Sequence, residues 1–416
     1  MPITIINSIA SWILKKRIHQ IELFTKYPIE VQEEILFGLL RSAENTVLGK
    51  KYEYSSIKNY ETFNERIPVS TYEELEPYIE QTRQGAQNIF WNSNIKYFAK
   101  SSGTTNAKSK FIPVSSEALD NNHYKASKDL LCLYLNNNED SQLFTGKSLR
   151  LGGSKELYEN NNTIFGDLSA ILIDNMPMWA EFSSTPSNKT SLISDWETKL
   201  PAIIKESSLE NVTSLAGVPS WMMVLLNKTL EENNKTNILE IWPNLEVYFH
   251  GGVSFDPYKE QYKKLFPKDN FKYYEIYNAS EGFFALQDQN NSNELLLMLD
   301  YGIFYEFIPM DTFGKEDQKV IPLSEVELNK NYALVITTNS GLWRYLIGDT
   351  IRFTSLQSFR IKVTGRTKHH INVFGEELMV ENTDVALAKT CETLHCEVLD
   401  YTVAPIFMNG KEKGAH

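Results

Sequence analysis

Residues 97–115, YFAKSSGTTNAKSKFIPVS, place a loop of Ser, Gly, Thr and Lys between two apolar runs. Small hydroxyl residues in that position form a cradle for an anion. Ser101, Ser102, Thr104 and Thr105 can donate from side chain and backbone, Gly103 allows close approach, and Lys108 or Lys110 brings positive charge. These are the donors a polyphosphate requires. The loop is not a Walker loop, because Ala107 and Ser102 stand where counting back from Lys108-Ser109 requires glycines. The near-match Gly146-Lys147-Ser148 has Ser141 in place of its first glycine. No G-x-G-x-x-G occurs to support a dinucleotide site.

Four further segments end apolar runs with polar residues or glycine: FHGGVSFDPY (249–258), YEIYNASEG (274–282), WRYLIGD (343–349) and VTGRTKHHINVFGEEL (363–378). Gly251-Gly252 would let a flat base lie against the backbone, with Tyr277 over its other face. Glu281, between Ser280 and Gly282, is a carboxylate suited to a magnesium ion that bridges phosphates. Asp349, in a Gly-Asp turn between two strands, can accept hydrogen bonds from the vicinal hydroxyls of a ribose. Arg366, after Gly365, suits the same sugar or an α-phosphate. Taken singly, each glycine pair is also ordinary turn chemistry, Glu281 an ordinary surface acid and Tyr277 an ordinary core aromatic. His369 and His370 lie in a polar stretch and read as solvated.

The elements that must position these groups are legible in outline. Residues 1 to about 90 carry helical spacing, with Val31, Ile35, Leu36, Leu39 and Leu40 on one face. From Ile95, short apolar runs alternate with longer helical segments such as Ser115 to Leu135, which Ser115 can cap. From Asn270, strand-like runs dominate, until a predicted helix at Val380–Leu394 and a strand-like end, EVLDYTVAPIF. This alternation argues for sheets with helices packed on them, an α/β fold.

Composition narrows the function. The chain has 416 residues, 42% of them hydrophobic, which is ordinary globular composition. With 53 acidic and 41 basic residues the net charge is -12, which disfavours a nucleic-acid partner. The N-terminal basic residues follow the apolar stretch, the wrong order for a secretory signal, and that stretch is too short to span a bilayer. Three cysteines, Cys132, Cys391 and Cys396, form neither a disulfide framework nor a zinc site and suit a cytoplasmic protein. Oligomeric state is not readable.

The order of the five motifs resembles the acyl-adenylate-forming superfamily of firefly luciferase and acyl-CoA synthetases. Within it the chain is similar to the bacterial branch of the Gretchen Hagen three family, the auxin- and jasmonate-type acyl acid amido synthetases. The likeness runs from about Pro68 to the end. It implies a large N-terminal domain of helix-flanked β-sheets with a β-barrel-like part, at residues 1–367, and a small mobile α+β domain that begins at 368. It also implies ATP and Mg²⁺ as cofactors and a ligase that joins a small carboxylic acid to an amino acid through an acyl-adenylate.

By the same resemblance, the SSGTT loop with Lys110 grips phosphates, Tyr277 and Gly251-Gly252 border adenine, Glu281 binds Mg²⁺ with Ser280 beside it as a further nucleotide-binding residue, and Asp349 with Arg366 holds the ribose. His123, Trp221 and Met222 are candidates for the acyl wall, although a Trp-Met-Met run also reads as plain core. Ala107 departs from the glycine usual in the family's first loop. Only 50 residues follow Arg366, from which the second domain is expected to be incomplete within 368–416. Lys368 is the nearest lysine to the hinge that could serve the reacting carboxylate. Two rival readings remain: a coenzyme A or carrier-thiol ligase of the same superfamily, and a non-catalytic ATP-binding relative.

Overall fold

The computed structural model describes residues 17–101, 109–152, 158–160, 162–367 and 380–394, together with 396, 398, 401–403, 406–407 and 414–415. Ser102, Gly103, Thr104, Thr105, Ala107, Lys108, Lys368, His369 and His370, named above, lie outside the described residues.

The described residues open with helices that include α1 (Ile18–Lys26), α2 (Pro28–Ala43) and α3 (Tyr72–Arg83). Thr71 begins α3 with a capping box, its backbone amide donating to the Glu74 carboxylate at 2.7 Å. A small sheet of order β2-β1-β5-β4 follows, built from β1 (Tyr97–Ser101), β2 (Lys110–Val114), β4 (Tyr158–Asn160) and β5 (Thr163–Gly166).

Among the described residues, the second sheet has twelve strands. One half is parallel, in the order β9 (Lys272–Ala279), β8 (Val247–Gly251), β7 (Val212–Gly217), β3 (Lys147–Arg150) and β6 (Ser184–Thr185). The other half is antiparallel, continuing from β9 through β10 (Gly282–Leu286), β11 (Leu295–Leu297), β16 (Arg360–Arg366), β15 (Tyr345–Ser355), β14 (Asn331–Thr338), β12 (Ile303–Pro309) and β13 (Ile321–Pro322). The strand-rich second half expected from Asn270 is this antiparallel half.

Helices cover both faces of the parallel half, as its doubly buried strands require. On one face lie α6 (Trp196–Ser207) and α7 (Pro219–Asn233), whose Ile203, Ile204, Met222 and Leu226 form one core with Leu149, Leu215 and Tyr248. On the other lie α4 (Tyr124–Asn137) and α5 (Leu168–Asp174), whose Leu130, Leu133 and Ile171 share a larger core with Phe249, Tyr274 and Phe284. Ser115 does cap its helix, accepting from the Ala118 amide at 2.9 Å. That helix reaches α4 through a π-helical turn, Leu119–His123, which helical spacing alone did not reveal. The predicted helix Val380–Leu394 is present and is called α8. Of the expected strand-like end, the described residues between 396 and 403 are not in a strand, whereas Ile406–Phe407 pairs with Gly414–Ala415.

Candidate active site

A cleft of about 1070 Å³ opens where the carboxyl ends of β8 and β9 meet β2, β15 and β16. Ligands in open α/β sheets bind at such strand ends. Its lining includes Ser101, Lys110, Gly252 and Tyr277, and also Ser280, Glu281, Asp349 and Arg366. Residues from five separate motifs therefore converge on one space.

Asp349 is placed differently from its sequence reading. There is no turn between two strands; Tyr345–Ser355 is one strand, and 346–350 bulges out of it. Leu346 pairs with Val335 and Thr350 with Ala333, so Ile347, Gly348 and Asp349 stand opposite a single residue. Gly348 takes φ +92° there, a conformation that glycine adopts without a Cβ penalty. The bulge turns Asp349 into the cleft wall. Its Oδ2 accepts from the Tyr277 hydroxyl at 2.8 Å, and its Oδ1 lies 3.1 Å from Arg366 Nε. Burial raises the Asp349 carboxyl above its ordinary value, opposed by Arg366 and Tyr277. Each oxygen keeps acceptor capacity beyond the one bond it makes.

Glu281 sits with Ser280 in the two-residue turn of the β9–β10 hairpin, whose flanking residues Ala279 and Gly282 pair. It is half-buried. Burial, with Asp349 adding to it, pushes its carboxyl up to about 7, against its own backbone amide, Lys110 and Arg366. No cation among the described residues forms an ion pair with it. The Tyr345 hydroxyl stands between the two charges, 3.4 Å from Glu281 Oε1 and 3.5 Å from Lys110 Nζ. Lys110 Nζ also lies over the Tyr72 ring, 5.5 Å from its centroid.

Behind this group is a buried scaffold. Arg344 is 2% exposed and adopts φ +44°. Its guanidinium makes a two-point contact with Glu306, Nε to Oε2 at 2.9 Å and Nη2 to Oε1 at 2.9 Å, and Nη1 donates to the Asn64 carbonyl at 2.8 Å. The Tyr60 hydroxyl adds a third donor to Glu306. The Arg344 carbonyl then accepts from Ser70 N at 2.8 Å, and Ser70 O accepts from Leu346 N at 2.9 Å. Tyr72, two residues on, accepts from Phe111 N at 2.9 Å and so ties β2, with Lys110, to the same frame. Tyr345, Tyr72 and Arg344 were missed as contributors. Tyr345 and Arg344 stood inside the quoted WRYLIGD, and the only available signal was their adjacency to Asp349.

The remaining candidates separate. Gly252 has φ +85° and lines the cleft, but Gly251 is explained by packing, since a Cβ there would meet the Ile276 carbonyl oxygen at 2.4 Å. Met222 is fully buried in the core under α7. Trp221, its neighbour on α7, is 54% exposed and packs edge-on against Trp196 with centroids 5.1 Å apart, so it is no wall of this cleft. Adjacent helical residues point about 100° apart, which is why the two cannot share a role as neighbours on one wall. His123 is buried, its Nδ1 has no hydrogen-bond partner, and burial lowers its imidazole to about 4.

Comparison with known proteins places this geometry. Residues 17–271 match the GH3 family N-terminal domain and residues 296–366 the GH3 family central domain. Among curated relatives, the indole-3-acetic acid-amido synthetase GH3.2 of Arabidopsis thaliana is 24% identical over 412 residues, covering 82% of this chain and 74% of the relative. The jasmonoyl–L-amino acid synthetase JAR4 of Nicotiana attenuata is 24% identical over 405 residues, covering 80% and 68%. Among solved structures, the GH3.15 acyl acid amido synthetase superposes with a TM-score of 0.76 at 17% identity, covering 92% of this chain and 76% of that one. A 2-hydroxyisobutyryl-CoA ligase, solved with its acyl-AMP, gives 0.56 at 14% identity, covering 86% and 72%. The fold is thus that of the adenylate-forming ligases, and with the first domain description alone spanning more than half of the sequence, the chain belongs to the GH3 family.

Proposed function

We propose that the protein is an ATP-dependent acyl acid amido synthetase. In the first step a carboxylate oxygen attacks the α-phosphorus of ATP, giving an acyl-adenylate and pyrophosphate. In the second, an amino-acid amine attacks the acyl carbon, loses a proton and displaces AMP to leave an amide. The observation that carries the reading is the convergence of Lys110, Tyr277, Glu281, Asp349 and Arg366 on one cleft in a GH3-family chain.

The chain's own groups suit that chemistry. Lys110, at the end of the described β2, brings a cation to the phosphate side, where positioning and charge stabilisation supply most of the rate. Asp349, fixed by Tyr277 and Arg366, retains acceptor sites for vicinal ribose hydroxyls. Gly252 leaves room for a flat base beside the β8 end. Glu281 fits a divalent cation of the magnesium type: a lone carboxylate with no ion-pair partner, among described residues that hold no cluster of three or more metal-ligating side chains. Hard cations of that type take one or two carboxylates and complete their shell with phosphate and water oxygens. When bound, such an ion supplies charge neutralisation on the phosphate oxygens.

On this reading, residues 1–367 are the adenylate-forming body and 368–416 belong to a second, mobile unit. In support, both β16 and the match to the family's central domain end at Arg366. The partners are a small carboxylic acid and an amino acid, and the compartment assigned is the cytoplasm. No helix among the described residues is long and apolar enough to cross a membrane. The test is acid-dependent exchange of labelled pyrophosphate into ATP, followed by mass spectrometry of products with amino acids and with coenzyme A. Exchange and an amide product are expected. Exchange with a thioester product would reassign the acceptor, and ATP binding without exchange for any acid would contradict the enzyme reading.

A further inference from the structure

Arg150 ends β3, at the carboxyl edge of the parallel half-sheet. In register it faces Ala216 on β7, which faces Phe249 on β8, which faces Tyr274 on β9. Residues aligned across parallel strands share a face, so Arg150 lies on the face covered by α4 and α5. There Tyr134 of α4 packs edge-on against Phe249 and Tyr274, with centroids 5.7 and 5.3 Å away. The β8–β9 part of this face is filled by Val247, Phe249 and Tyr274. The corresponding β3–β7 corner carries Ser148, Ser214 and Ala216 instead, and Arg150 is the only large side chain among them.

The guanidinium is half-buried, and the contact recorded for it is from Nη1 to the Met176 sulfur, at 3.3 Å, just after α5. A thioether is a weak acceptor for a group with five donors. No carboxylate among the described residues pairs with Arg150, and burial, unopposed by any acid, lowers its pKa from the ordinary value. Nearby, Lys199 Nζ donates to the Gly152 carbonyl at 2.9 Å, and the acid that acts on that lysine is Asp167. Among the described residues, the end of β3 therefore holds positive charge without a matching anion at Arg150. A half-buried guanidinium in this state keeps part of the desolvation cost that a ligand's carboxylate would offset. By strand spacing, β3 lies about 10 Å from β8, whose end opens on the cleft.

The geometry points to Arg150 as the recognition residue for a substrate carboxylate other than the one that is activated. The source is either a second carboxylate at the far end of the acyl acid or the α-carboxylate of the amino-acid acceptor. A guanidinium suits either, through its paired donors. This inference rests on the amido synthetase reading for its substrates, but its contact can be read without turnover.

Calorimetry in the presence of AMP, with two matched pairs of probes, provides that reading. The pairs are adipate with hexanoate, and leucine with 3-methylbutylamine. The wild type should prefer the member with the additional carboxylate, adipate or leucine, in one pair. Arg150→Met should lose that preference by about tenfold or more, and Arg150→Lys should restore part of it. The pair that shows the preference names the source. Arg150→Met should also melt no lower than the wild type, because it removes a charge that no acid among the described residues neutralises. No preference within either pair, an unchanged preference in Arg150→Met, or a lower melting temperature for that variant would each overturn the proposal. Absence of pyrophosphate exchange in the wild type would contradict the amido synthetase reading and leave these binding ratios standing.

Discussion

Glu306 and Glu281 are carboxylates of the same sheet in opposite circumstances. Glu306 is fully buried on β12 and closed on itself, with both oxygens on the Arg344 guanidinium and the Tyr60 hydroxyl as a further donor. Glu281 is half-buried at a hairpin tip, and among the described residues Tyr345 rather than a cation stands next to it. Burial raises both carboxyls, but only at Glu306 does a paired guanidinium oppose it from hydrogen-bonding distance. A carboxylate completed by its own chain is architecture, holding residues 64–70 against the start of β15. One left open in a polar cleft is available to a ligand. The Arg344–Glu306 ion pair thus serves to position Tyr345 and Lys110, while Glu281 has no ion-pair partner among the described residues.

This comparison can be broken at several points. Arg344→Leu leaves Glu306 buried without its partner and should destabilise the fold by about 3–5 kcal/mol, read by denaturant unfolding. A loss below about 1 kcal/mol would mean that the pair is not the scaffold described.

Glu281→Gln should do the reverse in mildly alkaline solution. The folded carboxyl titrates near 7 and the unfolded one near 4.5. Between those values the unfolded chain has lost its proton while the folded protein still holds it. Wild-type stability from this group is therefore highest at low pH, falls as pH rises through that window, and stays low above it. The glutamine variant escapes this loss. It should be more stable than the wild type by about 1–3 kcal/mol at pH 8, with the gap shrinking toward zero at pH 5. Parallel unfolding curves at both pH values would contradict the raised carboxyl.

Tyr345→Phe should change stability by no more than about 1 kcal/mol while lowering pyrophosphate exchange about tenfold, since it removes a single hydroxyl from between Lys110 and Glu281. Wild-type exchange in that variant would separate Tyr345 from the site.

Much of this was legible in the sequence because it is local. The helix Val380–Leu394, the Ser115 cap and the strand-rich stretch after Asn270 follow from spacing and turn residues over a few positions. Likewise, the motif ends named Lys110, Tyr277, Glu281, Asp349 and Arg366, which the fold gathers into one cleft. What escaped was non-local or depended on direction. The Arg344 node joins residues 280 positions apart, which no spacing rule connects. The bulge at Ile347–Asp349 was read as a turn, because Gly-Asp signals a change of chain direction without saying whether pairing resumes on the same strand. Trp221 and Met222 were grouped as one wall, yet the helix turns one outward and the other into the core. Arg150 carried no motif at all, and it gains meaning only from its place at the end of β3, where its contact is a thioether and no acid among the described residues pairs with it.

The central claim is that the open carboxylate of Glu281 serves adenylate formation. It is tested most directly by acid-dependent ATP–pyrophosphate exchange in wild type and Glu281→Gln at matched fraction folded. The account predicts exchange in the wild type and its loss in the variant, even at pH 8, where the variant is the more stable protein. Exchange in Glu281→Gln at the wild-type rate would contradict it.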